Sequence, residues 1–175
     1  MTTLYTPTEL VGLAVETEKG GRQFYEAAAR DAASPAVKDL FLFLAAEEAR
    51  HERTFSALHE KLKASPAELP YDWNEAVAYL RVITDSRFFL RAEGTVPIFR
   101  SGKMGQSPLA AARTAGSEDG ALEFALQFEK ETLLFYLELT RLVGPAHQAV
   151  LDELVRQERQ HIRKLDEMRR NRGPA

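Results

Sequence analysis

The sequence contains no cysteine among its 175 residues. Disulfide bonds, thiolate zinc sites, iron–sulfur clusters and thiol nucleophiles are therefore excluded. A strong excess of either charge is also missing, because 23 Lys and Arg residues stand against 26 Asp and Glu residues. Such a balanced, mixed charge distribution does not favour binding to nucleic acid or to an anionic membrane.

Long apolar runs are also absent from the sequence. The longest, such as residues 40–46, is far too short to span a bilayer. Residues 1–9 lack the basic region and apolar stretch of a signal peptide. We therefore expect a cytoplasmic protein without a membrane partner. A chain of 175 residues that is 45% hydrophobic suits a single domain, 1–175, with a substantial core.

Four long segments have the apolar spacing of three and four residues that is typical of amphipathic helices. Thr6 and Glu9 form a capping-box pattern before the first helix, and Ser34 stands before the second. Gly144 is expected to end the third helix and Pro145 to begin the fourth. The predicted helices cover residues 7–33, 35–64, 121–143 and 145–171. No strand pattern competes, so the fold class is all-α.

The lengths of the connections predict how the four helices are arranged. Very short links join the first helix to the second and the third to the fourth, which makes two antiparallel helical hairpins at 7–64 and 121–171. The crossover between them, 65–120, contains one predicted short helix at 73–87, begun by a second capping box of Asp72 and Glu75. Four-helix bundles with one long crossover are a known architecture.

The two hairpins repeat each other. Glu18 and Tyr25 in the first helix have counterparts 111 residues later in the third, and Glu48 and His51 in the second have counterparts 110 residues later in the fourth. The counterparts are Glu129, Tyr136, Glu158 and His161. An internal repeat of this kind predicts a pseudo-two-fold bundle, in which equivalent residues meet near the axis.

Six ionisable residues interrupt the apolar stripes of the four helices. They are Glu18, Glu48, His51, Glu129, Glu158 and His161. Because residues three and four apart share one helix face, all six are expected to point inward. Glu18 lies about fifteen residues before its turn and Glu48 about fourteen after it, which at roughly 1.5 Å per residue places them at one level.

A buried cluster of this composition needs positive charge. Four glutamates carry a formal charge of −4, no Lys or Arg occupies the stripes, and an unpaired buried carboxylate is costly. Two divalent cations would balance the charge, with the histidines as neutral ligands. Carboxylate and imidazole ligands suit iron, manganese or zinc. A single Glu-x-x-His motif usually marks a solvated face, but two copies at matched heights predict two metal ions per chain, with iron our first choice.

Neighbouring residues of the cluster allow further interpretations. Tyr25 and Tyr136 are either core aromatics with a satisfied hydroxyl or hydrogen-bond donors to the carboxylates that would hold the metal, and both alternatives stay open. Glu47 is expected to have a surface role, because it points away from the stripe. His59 and His147 lack a Glu three residues before them and are expected at the surface or its boundary.

The segments ETEKGGRQFYEAA with FLAAEEARHERTF, and ALQFEKETLLFYLEL with LVRQERQHIRKL, resemble the two halves of a ferritin-like bundle, and in particular of rubrerythrin-related proteins. The resemblance implies a dinuclear iron centre that reacts with oxygen or peroxide, with the six residues above as its ligands. The sequence departs from full-length rubrerythrins in having no cysteines for a rubredoxin domain, and Thr132 replaces an additional ligand glutamate. Ala49 replaces the methionine that binds haem in bacterioferritins, so no haem is expected.

The sequence leaves three functional hypotheses open. The first is a di-iron oxidoreductase of the peroxidase or ferroxidase type, served by a separate electron-donor protein. The second is an iron-binding or buffering protein without turnover, and the third is a structural bundle with inert metal. A homodimer is expected in each case, because the apolar residues of the crossover need cover.

Overall fold

The computed structural model describes residues 6–65, 73–84 and 117–172, which are helical apart from short turns and contain no strand. The helices are α1 (Pro7–Asp31), α2 (Pro35–Ala64), α3 (Trp73–Thr84), α4 (Glu118–Leu142) and α5 (Gln148–Asn171), with a 3₁₀ turn at Pro145–His147. The all-α prediction is therefore confirmed. None of the described helices is long and apolar enough to cross a membrane.

The first hairpin begins with the predicted capping box. The Thr6 N–H donates to Glu9 Oε2 at 2.7 Å, and the Glu9 N–H donates to Thr6 Oγ1 at 3.2 Å. This satisfies two backbone donors at the start of α1. Ser34 stands at the N-cap of α2, but its side chain makes no capping hydrogen bond. Its backbone N–H instead donates to Glu118 Oε1 at 2.6 Å, and this hydrogen bond connects the turn between α1 and α2 to the start of α4.

The ends of the later helices differ from the prediction by a few residues. α4 begins at Glu118 rather than 121, because Ser117 accepts a hydrogen bond from the Gly120 N–H at 3.1 Å and caps the helix earlier. Gly144, with φ +84°, adopts the left-handed backbone that ends α4, the first helix of the second hairpin. α5 begins only at 148, because residues 145–147 form a 3₁₀ turn. The predicted end of the crossover helix at 85–87, its cap at Asp72 and most of the crossover lie outside the described residues.

The core places an aromatic layer on each side of the bundle centre. α1 packs along α2, α4 packs along α5, and α1 also contacts α4 while α2 contacts α5. Tyr25 stacks on Phe41 with 6.0 Å between ring centroids, and Tyr136 lies against Phe55 at 4.8 Å. All four rings are fully buried. Between these two layers lie buried ionisable side chains rather than apolar ones.

Candidate metal centre

The structure brings all six predicted residues together at the centre of the bundle. Each is at most 1% exposed. They form two groups of four, in each of which the possible ligand atoms lie within 4.8 Å of one another: Glu18, Glu48, His51 and Glu158 in one, and Glu48, Glu129, Glu158 and His161 in the other. The two groups share Glu48 and Glu158. Each therefore has one histidine and one glutamate of its own, and two glutamates in common.

The Nδ1 atoms of the two histidines face the carboxylates. His51 Nδ1 lies 2.9 Å from Glu158 Oε1 and 3.5 Å from Glu18 Oε2. His161 Nδ1 lies 3.3 Å from Glu158 Oε2 and 3.6 Å from Glu129 Oε2. The two imidazole rings are nearly parallel, with 5.4 Å between their centroids. Glu158 thus directs one oxygen to each histidine, as a carboxylate that bridges two metal ions would.

The cluster has many buried atoms without a hydrogen-bond partner. They are Glu18 Oε2, Glu48 Oε1, His51 Nδ1, Glu129 Oε2, both carboxylate oxygens of Glu158, and His161 Nδ1. Buried polar atoms are normally paired, so a concentration of unpaired ones calls for an explanation such as an ion. Every one of the six residues contributes at least one such atom. The donor set of four carboxylates and two imidazoles therefore fits a pair of metal ions.

The two tyrosines donate across the bundle to the glutamates of the opposite hairpin. The Tyr25 hydroxyl on α1 donates to Glu129 Oε1 on α4 at 2.5 Å, and the Tyr136 hydroxyl on α4 donates to Glu18 Oε1 on α1. Each bond holds one carboxylate oxygen and leaves the other, which is unpartnered, facing the histidine. Burial and the nearby carboxylates raise the pKa of both tyrosines well above 10, so both hydroxyls keep their protons.

The outward Nε2 atoms of the histidines have partners that sequence reasoning missed. His51 Nε2 lies 2.9 Å from Gln157 Oε1, and His161 Nε2 lies 3.8 Å from Glu47 Oε2. The surface role expected for Glu47 is wrong, because its side chain is turned into the bundle and the residue is only 7% exposed. The repeat offset of 110 pairs Glu47 with Gln157 and was the signal that could have found both. His59 lies at the boundary, as expected.

Protons balance part of the charge when no metal is bound. Burial lowers the pKa of His51, but the charges of Glu18 and Glu158 outweigh it and raise the pKa to about 11. His161 behaves likewise, and Glu129 and Glu158 raise its pKa to about 9. Burial and the charge of Glu158 raise the pKa of Glu129 to about 8. At pH 7 these three groups hold protons that cations would have to displace.

The pKa values of Glu48 and Glu158 are shifted in opposite directions. Burial, followed by the charge of Glu18, raises the pKa of Glu48 well above its usual value. Burial also disfavours the ionised form of Glu158, but the close approach of Glu129, His161 and His51 outweighs this and lowers its pKa. The metal-free site therefore stabilises the charge of Glu158, which lies between both histidines, but not that of Glu48 or Glu129.

Comparisons with known proteins agree with this fold. A crystal structure of a Thermotoga maritima protein, described as a ferritin-like diiron-carboxylate protein, superposes with a TM-score of 0.62 and 22% identity, covering 97% of this chain and 98% of that chain. The bundle is thus a ferritin-like fold. The sequence model of the rubrerythrin family matches residues 9–88, which include most of α1 and all of α2 and α3. The predicted resemblance to rubrerythrin-related, ferritin-like proteins is confirmed. No curated protein sequence gives a significant match.

Proposed function

We propose that this chain is a di-iron carboxylate protein of the oxidoreductase type, in which the metal pair reacts with oxygen or peroxide. The observation that supports this most is the pair of four-residue groups that share Glu48 and Glu158. Four carboxylates balance two divalent cations, and neutral imidazoles complete the donor set. The unpaired buried atoms of the cluster are the ones that such ions would engage.

Each metal position would draw on both hairpins. Glu18 and His51 would hold one ion, Glu129 and His161 would hold the other, and the two shared glutamates would contribute to both. Oxygen and nitrogen donors without a thiolate suit iron, and manganese or zinc would use the same ligands. Iron is our choice because it supplies the redox chemistry associated with this type of centre.

The surrounding residues would position and shield the ligands. Tyr25 and Tyr136 fix one oxygen of Glu129 and of Glu18, which limits rotation of these carboxylates and directs the other oxygen inward. The layers built on Phe41 and Phe55 separate the polar centre from the ends of the bundle. When bound, an iron pair supplies two electrons for the reduction of oxygen or peroxide.

The source of further electrons is part of the proposal. This chain has no cysteine and hence no rubredoxin-type iron site of its own. We therefore propose either a separate electron-donor protein, which would make the activity peroxidase-like, or ferrous iron itself as the reductant, which would make it a ferroxidase. Steady-state turnover with and without added reductant distinguishes these two modes.

Anaerobic loading with ferrous iron, followed by exposure to oxygen, tests the proposal. We expect about two irons per chain, the number that balances four carboxylates, and an absorption increase in the near ultraviolet on oxidation. A protein that binds no iron would reject the proposal. Two bound irons without a response to oxygen or peroxide would instead support the inert bundle, and many irons per chain would support storage.

The four histidines of the chain offer a matched control. His51→Ala and His161→Ala each remove a ligand atom from one group and should leave fewer than two irons per chain. His59→Ala and His147→Ala change partly exposed residues outside the cluster and should leave the iron content unchanged. Equal losses in all four variants would show that iron binds elsewhere.

A further inference from the structure

Glu47 and Gln157 occupy equivalent positions in the repeat, directly before the shared glutamates. Each side chain reaches the outward Nε2 atom of the histidine on the other helix: Gln157 lies beside His51, and Glu47 lies beside His161. The arrangement follows the pseudo-two-fold symmetry of the bundle, but the chemistry does not. One histidine is supported by a neutral amide, and the other by a carboxylate.

The amide is held in place by its neighbour. The Gln157 side-chain N–H donates to Glu153 Oε1 at 2.5 Å, which directs Gln157 Oε1 towards His51 Nε2 at 2.9 Å. This distance is that of a good hydrogen bond, and Nε2–H must be the donor because an amide oxygen only accepts. This bond keeps a proton on His51 Nε2, so the proton that a metal ion would displace is the one on Nδ1.

The carboxylate is divided between two cationic partners. Arg50, whose side chain is 60% exposed, pairs with Glu47 Oε1, while Glu47 Oε2 lies 3.8 Å from His161 Nε2. That distance is too long for a hydrogen bond, so the contact in this structure is electrostatic. When Nδ1 of an imidazole binds a cation, its Nε2–H becomes a stronger donor, and a carboxylate meets it better than an amide does.

We infer that Glu47 and Gln157 make the two metal positions unequal, and that the position held by His161 binds its ion more tightly than the position held by His51. The inference rests on the proposed dinuclear site. A carboxylate behind a ligand histidine raises the electron donation of the ring and offsets the charge of the bound cation. An amide fixes the ring orientation equally well but contributes no charge.

A competing role for Glu47 is visible in the same geometry. Glu47, His51 and His161 have possible ligand atoms within 4.8 Å of one another, so they form a third group that can hold an ion. The pairing of Arg50 with Glu47 opposes a further cation at this place. A third bound metal that disappears on mutation of Glu47 would therefore overturn the inference in favour of a separate outer site.

Titration of the full-length, metal-free protein with cobalt(II) under anaerobic conditions tests the inference. Calorimetry should show two separate binding steps. In proton NMR, each ligand histidine contributes one strongly shifted, solvent-exchangeable Nε2–H signal, and only one of the two should be present at one equivalent. Two equal steps, or two signals that grow together, would contradict the inference while leaving the dinuclear site intact. A complete lack of cobalt binding would reject the dinuclear site itself.

Reciprocal substitutions identify the residues responsible. Glu47→Gln should weaken the first step by about 10–100-fold, the usual effect of losing an outer carboxylate behind a metal ligand. Gln157→Glu should strengthen the second step, and the double swap should reverse the order in which the two Nε2–H signals appear. Equal changes in both steps, or no change, would overturn the inference.

Two further measurements separate positioning from stability. The melting temperature of the metal-free variants reports any general damage, which would not reverse the order of the NMR signals. Arg53→Gln removes an exposed arginine near Arg50 and should leave both binding steps unchanged. If Arg53→Gln weakened the first binding step as much as Glu47→Gln does, the effect would be one of general surface charge, and the inference would be overturned.

Discussion

Gly21 lies on the inner face of α1, directly against the cluster. A methyl group added there would lie 2.9 Å from Glu48 Oε2 and 2.9 Å from Phe128 Cε1. Real side chains do not approach each other this closely, so Gly21→Ala must displace one of these neighbours. Both are essentially fully buried, which leaves them little room to move.

The expected size of the effect is the difference of two opposing contributions. Replacing a helical glycine with alanine ordinarily stabilises a protein by about 0.5–1 kcal/mol. Overpacking a buried site costs about 1–3 kcal/mol. We therefore expect Gly21→Ala to lower the free energy of unfolding of the metal-free protein by about 1 kcal/mol. It should also weaken metal binding at both positions, because Glu48 belongs to both groups.

Gly12→Ala is the matched control in the same helix. There the added methyl group would meet His59 Nε2 at 3.3 Å, and this side chain is 24% exposed and can move. The control should therefore be neutral or stabilising by up to about 1 kcal/mol. Urea unfolding of both metal-free variants, with the wild type, measures the difference. If Gly21→Ala raised stability as much as Gly12→Ala, the close packing of Glu48 against α1 would be refuted.

Three further predictions follow from the electrostatics of the site. The pKa of His161 is raised from 6.5 to about 9 and that of Glu129 from 4.5 to about 8, so the stability they contribute is lost as the pH rises through these ranges. The melting temperature of the metal-free protein should therefore fall as the pH rises from 4.5 to about 9, and a melting temperature that rises over this range would contradict the prediction. Metal binding at pH 7 should release protons, which calorimetry in buffers of different ionisation enthalpy detects; zero release would contradict it. Tyr25→Phe and Tyr136→Phe should each cost about 1–3 kcal/mol of stability in urea unfolding, because each leaves a buried carboxylate oxygen unpaired, and an unchanged variant would show that its hydroxyl holds no oxygen.

The sequence predicted the helices and the central cluster well, for a clear physical reason. Glu18, Glu48 and their counterparts stand in positions that apolar residues otherwise fill, so helical periodicity alone turns them inward. The repeat then places them at one height. The starts of α1 and α2 followed from Pro7 and Pro35, since proline is favoured in the first turn of a helix, whereas α1 ends at Asp31, two residues before the predicted end.

Features that depend on contacts between helices were harder to predict. The periodicity of α2 placed Glu47 outside the stripe, but the α2–α5 packing turns this carboxylate inward beside His161. The crossing of the tyrosine hydrogen bonds between α1 and α4 likewise depends on helix packing, which spacing along one chain does not encode. The early start of α4 depends on capping by Ser117, which lies before the first apolar residue of the helix, Ala121, so that periodicity alone does not indicate it.

The joining of the two hairpins in one chain has a consequence for how such a centre can diverge. Two identical copies of one hairpin, associated about a true two-fold axis, would be compelled to support both histidines with the same residue. Fusion removes that constraint, because a mutation in one half no longer appears in the other. The pair of Glu47 and Gln157 is a difference that a duplicated and linked polypeptide can acquire and that a pair of identical hairpins cannot.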